Sequence, residues 1–166
     1  MKTQFIIIIA AFTLIAAAEK PKSPSAIKAQ RSYEDRVQAA DKEHSQSLTT
    51  AKDVYLKELK EALDAALEEK DLKEANVINA ALEAIAEGKA VIAPASKLAV
   101  KAQRTNEDSV NAANDQHVAA IMKAEEEYFK DMQIGLDEAI AAKDLAEANR
   151  IDAAMKAMRH QVFHLL

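Results

Sequence analysis

The stretch EEKDLKEANVINAA, residues 68–81, returns later in the same chain as AAKDLAEANRIDAA, residues 141–154. Each KDLxEAN sets an Asp three residues before a Glu: Asp71 before Glu74, and Asp144 before Glu147. At that spacing an N-cap carboxylate accepts the N3 amide while the N3 carboxylate reaches back to the N-cap amide. KDL therefore reads as a tight turn that closes one helix and caps the next. The alternative is a solvated capping box inside one continuous helix.

Around this turn the chain repeats itself. A shift of 73 residues aligns 28–87 with 101–160 without a gap, and about 26 of those 60 positions are identical, the self-similarity of a duplicated unit. In each copy small or apolar residues recur every three or four positions before the turn. They are Ile27, Val37, Ala40, His44, Leu48, Ala51, Tyr55, Leu59, Ala62 and Ala66, then Val100, Val110, Ala113, His117, Ile121, Ala124, Tyr128, Met132, Gly135 and Ala139. Such a seam belongs to a helix packed on other helices in coiled-coil fashion. It predicts long helices over 25–69 and 97–142, although SQSLTT at 45–50 lowers helix propensity locally.

After the turn, Leu72, Ala75, Ile78, Leu82 and Ile85 form one inward stripe, and Leu145, Ala148, Ile151, Met155 and Met158 form the other. A short connection makes each long and short helix an antiparallel hairpin. At 1.5 Å per residue the long helix spans about 65 Å and the short one about 25–30 Å. The first half of each long helix thus has a seam but no partner in its own hairpin, and needs the other copy or another chain. The expected fold is all-α: two tandem antiparallel helical hairpins in an elongated, coiled-coil-like bundle. Gly88 and Pro94 place a linker at 88–96 between repeats at 25–87 and 97–166.

The first residues, MKTQFIIIIAAFTLIAAAEK, read differently. One positive charge, an apolar run and the small residues Ala16, Ala17 and Ala18 predict a signal peptide over 1–18, cut before a short linker at 19–24. The run of about 14 residues falls short of the roughly 20 that an uncleaved anchor needs to span a bilayer. The expected location is secreted or periplasmic. With no cysteine the mature chain has no disulfide, and packing must hold it.

Composition narrows the function. The net charge of −5, about −6 once Lys2 is removed, repels phosphates and argues against nucleic acid as a partner. Few glycines, few aromatics and abundant Ala, Leu, Glu and Lys favour helices. His44 and His117 occupy equivalent seam positions, so they form either a metal pair or pH switch, or polar residues that set register. Register is the simpler expectation, because a structural metal site takes about four ligands and neither His has another His, Cys or close acid at ligand spacing on its own seam. His160 and His164 share a helix face but supply only two ligands. Tyr55 and Tyr128 fill the alanine-rich seam, with Asn76 and Asn149 as candidate polar partners. Arg31 with Glu34 and Asp35, and Arg104 with Glu107 and Asp108, have the spacing of surface ion pairs along one face. No nucleophile triad, phosphate loop or carboxylate cleft is present, so neither an enzyme nor a cofactor is expected.

A KDLxEAN turn preceded by a long alanine-rich helix resembles exported bacterial tandem helical-hairpin repeat proteins of unestablished function. The resemblance implies export and a helical hairpin, and it carries over no catalytic residue. The expected function is a non-catalytic interaction or scaffold protein that self-associates. The alternatives are an envelope holdase or small-ligand carrier and, further off, a metal-binding protein.

Overall fold

A computed structural model describes residues 19–89 and 95–163, with side chains to residue 159. Among the described residues there are four helices and no strand: α1 (Pro24–Glu68), α2 (Leu72–Ala86), α3 (Lys97–Ala141) and α4 (Leu145–Phe163). No helix among them is long and apolar enough to cross a membrane. The signal segment, residues 90–94 of the linker, and the side chains of His160 and His164 lie outside the described residues.

Local chemistry fixes the helix ends. Ser23 Oγ accepts the Ala26 amide at 3.3 Å and Pro24 takes the first helical position, where its missing amide costs nothing. Ser96 caps α3 in the same way through the Ala99 amide at 3.2 Å. The SQSLTT stretch stays helical, with Thr49 and Thr50 hydroxyls donating to the carbonyls of Ser45 and Gln46 one turn back. Each long helix ends in a Schellman turn. Lys70 and Lys143 adopt left-handed φ of 60° and 57°, and the Asp71 and Asp144 amides reach back to Ala66 and Ala139 carbonyls at 2.8 and 2.9 Å. The same aspartates then cap the short helices, each Oδ1 accepting the amide three residues on at 3.0 Å.

The described residues divide into two compact units that do not coincide with the repeats: 19–37 with 121–163, and 38–89 with 95–120. In the second, Tyr55, Leu59, Ala62 and Ala66 of α1 pack on Ala75 and Ile78 of α2 and on Ala99 and Ala102 of α3. In the first, Tyr128, Met132 and Ala139 of α3 pack on Ala148, Ile151, Met155 and Met158 of α4 and on Ala26 and Ala29 of α1. Most members correspond at the shift of 73; Ala62 matches Gly135, and Met155 and Met158 match the partly buried Leu82 and Ile85. Each cluster includes residues from the start of a long helix: Ala26 and Ala29 of α1 in the first, Ala99 and Ala102 of α3 in the second.

Two expectations about packing need correction. Ile27 is 38% exposed, and Ala26, Ala29, Ala99 and Ala102 are the buried residues near the starts of the long helices. Leu72 and Leu145 are not inward but 66% and 70% exposed. At the first position of a helix the side chain tilts towards the N-terminus, past the last residue of the partner helix, and finds nothing to cover it.

Candidate functional site

The repeat motif is built around an exchange of carboxylates between helices. Glu147 Oε1 accepts the backbone amides of Lys22 and Ser23, both at 2.6 Å, and Glu74 Oε1 accepts that of Ser96 at 2.6 Å. This corrects the expected capping box. The N-cap amides of Asp71 and Asp144 are already taken by the Schellman bonds, so the glutamates turn outward to the start of the neighbouring long helix. Glu147 is 5% exposed, and Arg150 donates to its second oxygen at 3.2 Å while also donating to Glu19 at 2.7 Å. Burial pushes the Glu147 pKa up, but the Ser23 and Lys22 amides, Arg150 and the Ser23 hydroxyl outweigh it, and the net direction is down. Arg150 likewise lowers the pKa of Glu19 by hydrogen bond and charge. Copy one has Val77 at the equivalent of Arg150, so this ionic extension belongs to one unit only.

The two histidines do meet. Their rings stack at 4.5 Å between centroids and 16° between planes. His117 Nε2 donates to Asp41 Oδ1 at 2.8 Å, and His44 Nε2 to Asn114 Oδ1 at 2.8 Å. Asp41 and Asn114 are equivalent at the shift of 73, so the arrangement is a reciprocal pair crossing between antiparallel stretches of α1 and α3. Imidazole lone pairs lie in the ring planes, and two nearly parallel planes cannot aim at one ion about 2.0–2.1 Å from each nitrogen. The stack suits register. Among the described residues no group of three or more His, Cys, Asp or Glu is placed to hold a metal ion.

Beside the stack runs an open groove of about 350 Å³, lined by small and hydroxyl side chains that include Ser47, Thr50, Ala51, Ser109 and Ala113, with Glu43 at its edge. Tyr55 and Tyr128 are core residues, 8% and 1% exposed. Burial, with a smaller contribution from the neighbouring Tyr33, pushes the Tyr128 hydroxyl up to about 12. Tyr128 also meets Tyr33 at 5.4 Å and Phe129 at 5.7 Å, and the Arg159 guanidinium lies 5.2 Å over the Phe129 ring. Asn76 and Asn149 are exposed and do not face the tyrosines. Glu34 and Glu107 accept from Gln30 and Gln103 at 2.9 Å, rather than pairing with Arg31 and Arg104. A guanidinium three residues away competes poorly when an amide sits one full turn back on the same face.

Sequence reasoning missed Ser23, Ser96, Asp41, Asn114 and Arg150. For the first four a signal existed, since 23 and 96, like 41 and 114, are 73 apart and carry matching polar types. No family model matches the chain, and neither does any curated protein or solved structure.

Proposed function

We propose that the chain is a non-catalytic interaction protein, secreted or periplasmic, built from two tandem antiparallel helical hairpins, α1–α2 and α3–α4, and that it associates with itself. One observation carries the reading. Leu67 and Leu72 flank the first turn and are 49% and 66% exposed, and their equivalents Ile140 and Leu145 flank the second at 55% and 70%. The cores are largely alanine, yet these large aliphatic side chains stand outside at matching places in both repeats. Covering such side chains would recover part of the roughly 1.5–3 kcal/mol that full burial of each is worth, and their paired exposure supports a surface for another protein. Export is supported by the composition of residues 1–18, and mass spectrometry of exported material starting at Glu19 would test it.

Light scattering on the mature chain tests association. A discrete oligomer that Leu72→Glu with Leu145→Glu dissociates supports it; a monomer at every concentration contradicts it. The groove between α1 and α3 favours a second reading, a holdase or small-ligand carrier. That reading requires a monomer that suppresses aggregation of unfolded clients, with Ala113→Leu, which fills the groove, abolishing the effect.

A further inference from the structure

The start of α3 sits beside the start of α2, because Glu74 Oε1 holds the Ser96 amide. The chain leaves α2 at the opposite end, where Gly88 takes a φ of 68° and the Lys89 amide reaches back to the Ala84 carbonyl at 2.8 Å. From Glu74 to Glu87 the helix advances about 20 Å. The eight steps from Gly88 to Ser96 must return over that distance, and fully extended they reach about 26–29 Å. The connection has little slack.

Every other tie between the α1–α2 half and the α3–α4 half is non-covalent, and the alanine docking and one carboxylate-to-amide bond recur at the shift of 73. Ala26 and Ala29 dock on α3 and α4 as Ala99 and Ala102 dock on α1 and α2. Glu147 holds Ser23 as Glu74 holds Ser96. None of these contacts requires the two halves to belong to one molecule. A short connection near its reach is the setting in which identical elements trade places between copies at low cost.

We propose that the chain exchanges halves with a second copy of itself: α1–α2 of one molecule complete both units with α3–α4 of another, giving a closed dimer that keeps every core contact and changes only the path of the connection. This rests on the self-association read above and gives it a route separate from the exposed leucines. At low concentration the tether favours closure within one chain, because a covalent tether of so few residues supplies an effective concentration on the order of millimolar. Shortening the connection removes that advantage.

The chain has no cysteine, so a two-cysteine variant reports without background. A Cβ built at Gly135 lies 3.6 Å from the Ser25 Cβ, within the disulfide range. The full mature chain carrying Ser25→Cys and Gly135→Cys, refolded at about 1 μM and about 1 mM and then oxidised, is read on a non-reducing gel. The expected result is an intrachain bond at the lower concentration and a covalent dimer as roughly half the product at the higher. Deleting residues 90–92 leaves about 17 Å of reach, short of the distance to be spanned, and makes the dimer dominant at both. Only intrachain bonds at both concentrations in the full-length connection overturn the exchange, whether or not the deletion variant folds. An oligomer seen by light scattering alongside intrachain bonds alone would overturn the exchange and leave surface association standing.

Discussion

Glu147 and Ser23 are joined across 124 residues by a carboxylate-to-amide bond of 2.6 Å, and Glu74 and Ser96 repeat the bond 73 residues along each helix pair. The second half of a capping motif has been redirected to start a different helix. The motif thereby specifies which helix end sits beside which.

Removing these carboxylates affects each unit by a different amount. Glu147→Ala leaves two amides without their acceptor and Arg150 with Glu19 alone, at a site 5% exposed, and costs about 2–3 kcal/mol. Glu74→Ala loses one amide bond at a more open position and costs about 1 kcal/mol. Urea denaturation of both variants gives the comparison; equal losses would be the wrong outcome.

Glu147 also sets a pH dependence. Its folded pKa lies below the ordinary 4.5, so the unfolded chain takes up the proton first as the pH falls. Its contribution is complete above pH 4.5 and is lost as the pH drops through the lowered value. The urea midpoint of the native chain should decline over that interval more steeply than that of Glu147→Gln, which has no proton to bind there.

At the alkaline end Tyr128 acts in the opposite sense. Its hydroxyl is raised from 10.0 to about 12, so its neutral form is stabilised by folding. The contribution is intact below pH 10 and disappears as the pH rises towards 12, an amount on the order of 2 kcal/mol. Tyr128→Phe keeps the ring and should retain more stability across that window, measured by helicity against pH.

Lys70 and Lys143 hold left-handed φ where a side chain costs about 1 kcal/mol relative to glycine. Lys70→Gly and Lys143→Gly should each raise stability by about 0.5 kcal/mol, after the extra freedom glycine gives the unfolded chain is discounted. A loss in thermal unfolding would show that the lysine side chains hold the turn in some other way.

The histidine stack is a polar crossing in an apolar seam. Replacing both with leucine at similar volume removes the requirement that Asp41 and Asn114 meet their rings, and both partners can turn to water. Stability should rise by about 1 kcal/mol or more while register loosens, as when buried polar pairs in helical seams become apolar. Chemical denaturation measures the first effect and the loss of a single set of backbone NMR signals the second.

Much of the helical layout is legible in sequence because it depends on local chemistry. Asp71 and Asp144 announce a cap, and the spacing of Tyr55, Leu59, Ala62 and Ala66 announces a buried face. Ala26 and Ala99 gave no such signal, since an alanine against a close neighbour and an alanine in water have the same letter and nearly the same propensity. Leu72 and Leu145 were misplaced for a complementary reason: periodicity projects a stripe beyond the point where the partner helix has ended. The glutamates escaped because their acceptor capacity is local but their donors come from a chain segment 22 or 124 residues away.

Association through the exposed turn leucines is tested most directly by the solution mass of the mature chain against concentration, with and without Leu72→Glu and Leu145→Glu. A discrete oligomer for the native sequence and a folded monomer for the double variant are predicted. A native chain that stays monomeric at every concentration, or a double variant with unchanged mass, would contradict it.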